Sequence, residues 1–157
     1  MQLMGIISDT HDERDYLAHA LRVFDNYGVE SILHCGDIEE PETIEMLSDW
    51  QCRVVFGNRD FERDALAEAL NEIGATHARN ALDFEWAGLR FFVTHGDDRK
   101  LLTDAIESQN YDVVCSGHTH VFATGTEGKT LVVNPGAIKF GSFVIIDDKK
   151  NVLHNPD

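Results

Sequence analysis

The chain has 157 residues, with 28 acidic against 13 basic side chains and a formal net charge of −15. This length is enough to bury a hydrophobic core, and we expect one domain over residues 1–157. The charge argues against an extended nucleic-acid surface and against an anionic membrane as partner, but not against a small anionic substrate whose charge is met by bound metal.

In the first part of the chain, short apolar runs alternate with segments whose apolar residues have helical spacing. Strands are predicted at 3–8, 31–35 and 52–56, where each apolar run ends at a polar loop. Helices are predicted from apolar spacing and from proline or glycine near their ends, at 15–27, 41–50 and 63–73. This alternation favours a parallel sheet built from βαβ units.

The second part of the chain is rich in turn signals. A hairpin is predicted with strands 82–86 and 89–94 joined at Ala87-Gly88, followed by a helix at 100–109. Further strands are predicted at 113–115, 121–126, 130–133, 142–146 and 152–154. We expect this part to be mainly antiparallel. The predicted fold is an α/β fold with two mixed β-sheets packed as a sandwich flanked by helices.

Polar side chains follow one predicted strand after another. The carboxyl ends of strands in open α/β sheets are where ligands bind. Two carboxylates, four imidazoles and one amide exceed what one tetrahedral ion takes, but suit two ions that share a carboxylate. This ligand mixture favours Mn, Fe, Zn or Ni over Ca. The residues are Asp9, His11, Asp37, Asn58, His95, His118 and His120.

Spacing gives a physical reason for two of these pairs. Residues i and i+2 of an extended segment point the same way, so Asp9 and His11 can hold one ion. His118 and His120 can do the same, or can face adjacent ions on a loop. Taken singly, most members have an ordinary explanation as a cap, a turn or a packed side chain. The remaining histidines are expected outside the ligand set, His34 at a strand end or supporting a ligand: His19, His34, His77 and His154.

The ordered set resembles the calcineurin-like metallophosphoesterase superfamily, and within it the compact YfcE/MJ0936-type phosphodiesterases. Members carry D-x-H, G-D, G-N-x-D/E, H and G-H-x-H in this order, which here read SDTH, CGDI, GNRD, THG and GHTH, with NPGA after them. The resemblance covers nearly the whole chain. It implies the four-layer metallophosphoesterase-like fold and a site for two divalent metal ions. Manganese is the first expectation, with Ni, Fe, Zn or Mg as alternatives.

Carried over residue by residue, the resemblance also implies a ligand set and a mechanism. One ion would be held by Asp9, His11, Asp37 and His120, and the other by Asp37, Asn58, His95 and His118. Asp37 would bridge the two ions, and a bridging hydroxide would attack phosphorus in line. Asp37, Asn58 and Arg59 are therefore expected to act in catalysis. Asn58 and Arg59 are also expected to contact the substrate.

Two positions depart from the family pattern. Arg59 stands where many members carry a histidine that can donate a proton. Arginine keeps its proton near neutral pH but can hold phosphate through a charge-assisted fork, and a solvated surface arginine is equally compatible. Without a general acid, diesters with good leaving groups should react best. Asp97 stands where the family often has histidine, and could be an oxygen ligand, a partner of Arg59 or, most simply, an exposed loop acid.

Two classes of function remain open. The first is a hydrolase acting on a small phosphodiester or nucleotide. The second is a non-catalytic interaction scaffold on the same fold, as in the retromer subunit Vps29. Seven ligand positions favour metal binding, although a scaffold can keep its metals. A homo-oligomer is compatible with the size of such relatives, but no strand or stripe in the sequence predicts it.

Cysteine usage and the first residues bear on the compartment. Three cysteines, an odd number without a CxxC spacing, favour a reduced protein. The opening MQLMGIISD lacks the basic and long apolar segments of a signal peptide, and no run of about 18 apolar residues predicts a membrane span. We therefore expect a cytoplasmic protein without membrane contact. Its acidic composition fits a salt-tolerant source and an ordinary acidic protein equally well.

Overall fold

The computed structural model describes the whole chain, Met1 to Asp157. Its helices are α1 (Arg14–Tyr27), α2 (Pro41–Glu45), α3 (Arg63–Glu72) and α4 (Arg99–Glu107), and a 3₁₀ turn spans Ile138–Phe140. Its strands are β1 (Leu3–Ile7), β2 (Ser31–His34), β3 (Gln51–Val55), β4 (Thr76–Ala78), β5 (Ala81–Trp86), β6 (Leu89–Thr94), β7 (Val113–Cys115), β8 (Phe122–Glu127), β9 (Thr130–Pro135), β10 (Val144–Asp147) and β11 (Val152–His154). None of the helices is long and apolar enough to cross a membrane.

The first sheet has six strands in the order β11-β10-β1-β2-β3-β4. Strands β1 to β4 run parallel, and helices α1, α2 and α3 make the crossovers between them. Strands β10 and β11 close one side in antiparallel register. The βαβ succession predicted from the sequence is therefore confirmed, and it brings the carboxyl ends of β1, β2 and β3 to one edge.

The second sheet has five strands in the order β5-β6-β7-β9-β8. Its central strands β6, β7 and β9 are parallel, and only the edge strands β5 and β8 are antiparallel to their neighbours. The expectation of a mainly antiparallel second half is therefore wrong at the centre of the sheet. The reason is α4, which returns the chain between β6 and β7 as a crossover helix. The α/β fold with two mixed sheets is confirmed.

Two further elements differ from the prediction. Helix α2 ends at Glu45, whereas the predicted helix ran to residue 50. Beyond it, the N–H of Met46 bonds to the carbonyl of Thr43 and that of Leu47 to Ile44, so the chain continues in i→i+3 turns. The short strand β4 was not predicted, because its three residues carry no apolar run.

Side chains of the same strand alternate between two cores. Met4 and Ile6 of β1 point into the layer between the two sheets, where they meet Phe91 and Val93 of β6. Ile7 points the other way, into the layer under the helices of the first sheet. Helix α4 covers the outer face of the second sheet. The resulting order of layers is helix, sheet, sheet, helix, as expected for the four-layer fold.

Backbone hydrogen bonds hold the loops at the shared edge together. The N–H of Asp9 donates to the carbonyl of Gly36 at 2.9 Å, which joins the loops after β1 and β2. The N–H of Gly117 donates to the carbonyl of His95 at 2.9 Å, which joins the loops after β7 and β6. The polar motifs of the sequence are thus carried on loops that contact each other directly.

Candidate metal centre

Carboxylates and imidazoles converge at this edge of the fold. Asp9, His11 and His120 form one group, and Asp9, Asp37 and His95 form another, with the ligand atoms of each group within 4.8 Å of one another. Nε2 of His120 lies 3.2 Å and Nε2 of His11 lies 3.5 Å from Oδ1 of Asp9. Nε2 of His95 lies 3.2 Å from Oδ2 of Asp37. Either group could hold a metal ion.

Asp9 belongs to both groups, and the Asp37 carboxylate of the second group also approaches the first. Its Oδ2 is 3.7 Å from Nε2 of His11 and 3.2 Å from Nε2 of His95. Oδ1 of Asp9 is likewise within 3.8 Å of His95. Both carboxylates are buried. The two groups therefore form one continuous cluster with acidic oxygens at its centre.

Three buried atoms of this cluster have no hydrogen-bond partner. They are Oδ1 of Asp9, Nε2 of His11 and Nε2 of His95. A buried polar atom without a partner costs roughly 1–3 kcal/mol, so three of them in one cluster favour a bound ligand that offsets that cost. Carboxylate oxygen and imidazole nitrogen are ligands for Mn, Fe, Zn and Ni. The residues therefore fit a metal centre.

Hydrogen bonds on the far side of two imidazoles fix which nitrogen faces the cluster. Nδ1 of His11 lies 2.6 Å from a carboxylate oxygen of Glu39, and Nδ1 of His95 lies 2.8 Å from the carbonyl oxygen of Cys35. Both oxygens are acceptors, so each Nδ1 carries the proton. Nε2 of each ring is then the nitrogen directed at the cluster, and in the neutral ring its lone pair can bind a metal ion.

The two histidines of GHTH have different neighbours. The His120 ring lies 5.2 Å from the His11 ring, measured between centroids, whereas the His118 ring lies 5.1 Å from the His95 ring. The backbone N–H of His118 also donates to Oδ2 of Asp9 at 3.0 Å. The side chains of His118 and His120 thus diverge toward opposite ends of the cluster.

Asn58 and Arg59 lie at the rim. Asn58 is exposed on the loop after β3 and belongs to neither ligand group. Arg59 donates its backbone N–H to Oδ1 of Asp37 at 2.8 Å, but its side chain is 58% exposed. The Nε atom of Arg59 lies 3.6 Å from the Glu39 carboxylate, so Glu39 is its acidic neighbour. Asp97 is an exposed residue and is not that neighbour. Of the seven predicted ligands, five are in the two groups, with His118 beside them and Asn58 at the rim.

The backbone of the loop that carries Asp9 and His11 is left-handed at both residues and not extended. Asp9 has φ 53° and His11 has φ 41°, so the reasoning that an extended D-x-H segment points both side chains one way is wrong. The tight loop makes the two side chains converge instead. Such conformations are sparsely populated and concentrate at functional sites. Two glycines allow the close approach: a Cβ on Gly57 would overlap the Asp37 carboxylate, and one on Gly117 would overlap the hydroxyl of Ser8.

Charge within the cluster shifts two pKa values. Burial alone would raise the pKa of Asp37, but the His95 imidazole 3.2 Å away, the backbone N–H of Arg59 and the His11 imidazole lower it to about 2. Burial alone would lower the pKa of His95, but the carboxylates of Asp37 and Asp9 raise it to about 9. The Asp37 carboxylate is therefore ionised at neutral pH and available to a cation.

Several supporting residues were not assigned a role from the sequence. The carboxylate of Asp60 accepts the backbone N–H groups of Asp37, Glu39 and Gly57 at 2.7–2.9 Å, which fixes the loops after β2 and β3. Asp60 is the last residue of GNRD, so its place in the motif was a usable signal. Glu39 follows Asp37 by two residues, and nothing in the sequence distinguishes it from Glu40.

His34 supports the site without belonging to the ligand set. Its Nδ1 accepts the N–H of Gly36 at 3.0 Å, so Nε2 carries the proton and donates to the Thr10 hydroxyl at 2.7 Å. Burial lowers the pKa of His34 to about 3, which keeps the ring neutral. His34 thus fixes the two loops that carry Asp9 and Asp37. The other three histidines pack on aromatic rings away from the cluster: His19, His77 and His154.

Comparison with known sequences gives the family. Residues 1–149 match the calcineurin-like phosphoesterase superfamily domain. The chain is 36% identical over 136 residues to Phosphodiesterase MJ0936 of Methanocaldococcus jannaschii, covering 85% of this chain and 82% of that protein. It is 28% identical over 140 residues to the probable metallophosphoesterase YsnB of Bacillus subtilis, covering 85% of this chain and 73% of that protein.

Solved structures give the same result. An archaeal phosphodiesterase superposes with a TM-score of 0.92 at 32% identity, covering 98% of both chains. The phosphoesterase YfcE of E. coli superposes at 0.69 and 18% identity, covering 97% of both chains. Vps29 of Chaetomium thermophilum superposes at 0.72 and 16% identity, covering 98% of this chain and 94% of that one. The last two share the fold. The chain belongs to the calcineurin-like phosphoesterase superfamily, a family of metal-dependent hydrolases.

Proposed function

We propose that this protein hydrolyses small phosphodiesters or nucleotides and does so with two divalent metal ions, manganese first among the candidates and Ni, Fe, Zn or Mg as alternatives. The observation that carries the proposal is the buried cluster, in which two carboxylates meet several imidazoles and three ligand atoms lack a partner. The archaeal relative with the phosphodiesterase name supports the choice of diesters. When bound, such ions activate the attacking water and neutralise charge on the phosphate.

We assign the ligands in two sets that share one carboxylate. One ion would be held by Asp9, His11, Asp37 and His120. The other would be held by Asp37, Asn58, His95 and His118. The place of Asp37 Oδ2 between His11 and His95 supports its role as the shared ligand. The pairing of His120 with His11 and of His118 with His95 supports the division.

The rim residues would orient the phosphate. The guanidinium of Arg59 is exposed and can donate two parallel hydrogen bonds to phosphate oxygens. The exposed amide of Asn58 would contact both ion and substrate. Arg59 does not release a proton, so it cannot protonate the departing oxygen. Diesters with a leaving group of low pKa are therefore the substrates we expect.

The test is hydrolysis of bis(p-nitrophenyl) phosphate by metal-stripped protein, with Mn, Ni, Mg and Zn added back one at a time. Asp37→Ala is the test variant, and Asp97→Ala is the matched control, because it removes one exposed carboxylate near the site. We expect turnover restored by at least one ion in the wild type and control, and none in Asp37→Ala.

Two metals bound per chain with no turnover for any ion would refute the hydrolase and favour the interaction scaffold. Two metals retained by Asp37→Ala would refute the shared-ligand assignment alone.

We also propose a cytoplasmic location, which the three buried free thiols support: Cys35, Cys52 and Cys115.

A further inference from the structure

An aromatic ring is exposed directly beside the metal-ligand cluster. Phe140 is the last residue of the 3₁₀ turn, and its side chain is 66% exposed. The centroid of its ring lies 5.9 Å from that of His120. Nε2 of His120 in turn lies 3.2 Å from the Asp9 carboxylate. The Phe140 ring therefore stands about one side-chain layer outside the cluster.

The turn that carries this ring is anchored to the strand end that carries a candidate ligand. The N–H of Ile138 donates to the carbonyl of Ser8 at 2.9 Å, and that of Lys139 donates to the carbonyl of Asp9 at 3.1 Å. Ile138 is fully buried, so the turn is held from below. Gly141 ends the turn with φ 78°. The Phe140 ring is thus exposed on a fixed backbone, so little ordering entropy is lost when a ligand covers it.

A positive charge accompanies the ring. Nζ of Lys139 lies 5.7 Å from the centroid of the Phe140 ring, within the range of a cation–π contact. Basic side chains number only 13 in this chain, against 28 acidic ones. An exposed ring next to an ammonium group and a site for phosphate matches a ligand with one planar apolar arm and one anionic group.

We infer that Phe140 is a specificity-determining residue that stacks on the nucleobase of a nucleotide whose phosphate lies at the metal-ligand cluster. This inference rests on the proposed function for the position of the phosphate. Any of the nucleobases can stack on an exposed aromatic side chain, because every base has a π-face. Phe140 therefore selects nucleoside esters of phosphate over esters with small aliphatic arms.

A binding measurement tests this without requiring turnover. Manganese-loaded protein is titrated in a calorimeter with adenosine 5′-monophosphate and with ribose 5-phosphate, in which an anomeric hydroxyl replaces the base. We expect the wild type to bind the monophosphate with the base roughly fivefold or more tightly, the range given by one stacked base. Phe140→Ala should lose this preference and keep its affinity for ribose 5-phosphate. Phe140→Trp should restore it.

Tyr27→Ala is the matched control, an exposed aromatic at the far end of α1, on the opposite edge of the first sheet. It should leave both affinities unchanged. Equal affinity of the wild type for both ligands would overturn the inference. So would a preference that survives in Phe140→Ala, or a loss that Tyr27→Ala reproduces.

A second pair of ligands separates failure of this inference from failure of the proposed function. Thymidine 5′-(p-nitrophenyl phosphate) and methyl p-nitrophenyl phosphate release the same phenol and differ in the retained arm. Higher kcat/KM for the thymidine ester, lost in Phe140→Ala, supports both proposals. Turnover of both esters at equal rates refutes the subsite alone. No turnover of either, with the base preference in binding intact, refutes the hydrolase and leaves the subsite standing.

Discussion

Replacing Asp9 by Asn should lower the stability of the protein when metal is bound but not when metal is absent. In the metal-free protein, Oδ1 of Asp9 is buried without a partner, while three imidazole Nε2 atoms lie 3.2–3.8 Å away. An amide at this position can donate to one of those nitrogens. Satisfying one buried atom contributes about 1 kcal/mol. We therefore expect Asp9→Asn to be as stable as the wild type in chelator, or slightly more stable.

Metal should reverse this order. A ligand at 1,000 times its Kd stabilises the native state by about 4 kcal/mol. For a domain of this size, each kcal/mol moves Tm by roughly 2–4 °C, so the wild type should gain about 8–16 °C on addition of manganese. Asp9→Asn removes a carboxylate that belongs to both groups of adjacent ligand atoms and to the proposed ligand set of one ion, so it should lose most of that gain.

The assay is thermal unfolding in EDTA and in excess Mn, followed by circular dichroism. Asp97→Asn is the control, with the same change of charge on an exposed residue near the site, and it should shift like the wild type. A variant that loses equal stability in both conditions would show that Asp9 supports the fold itself. That result would refute the reasoning from the unpartnered oxygen.

Three other changes give separate outcomes. Glu39→Gln should weaken metal binding by roughly 10-fold in a competition titration, because the imidazole that it orients loses its carboxylate. Glu40→Gln is the control and should not weaken it, because this neighbouring carboxylate contacts Arg14 and not the cluster. His34→Asn should flatten acid destabilisation of the metal-free protein. The pKa of His34 in the folded state, about 3, lies below the unfolded value of 6.5, so protonation favours unfolding and stability is lost as pH falls through 6.5. The wild type should lose about 2 kcal/mol more than the variant between pH 7 and 5 in urea titrations, and an equal slope would contradict this. Arg59→His should raise kcat/KM for alkyl leaving groups relative to aryl ones in a series of diesters, because imidazole can donate a proton; an unchanged ratio would place the departing oxygen away from this residue.

The sequence predicts those parts of the site whose positions follow from the local order of apolar and polar residues. Each apolar run ends at a polar motif, and a parallel sheet brings such ends to one edge whatever the exact register. Asp9, Asp37 and His95 were found in this way. Turn signals alone do not indicate the parallel centre of the second sheet, because the parallel pairing of β6 and β7 depends on α4 crossing back between them. The local pattern also missed β4, whose pairing depends on the edge of β3 and not on its own residues.

The supporting contacts could not be predicted, because they depend on register between strands. His34 pairs with Ile7 across β1 and β2, and only this register brings its ring under Thr10. Asp60 reaches the N–H groups of the loop after β2 because β2 and β3 are paired in parallel. A slip of one residue would turn alternate side chains to the other face of the sheet. The candidate ligands would then remain in the sequence but would no longer converge, so the register of β1, β2 and β3 is what brings these motifs together as a candidate metal centre.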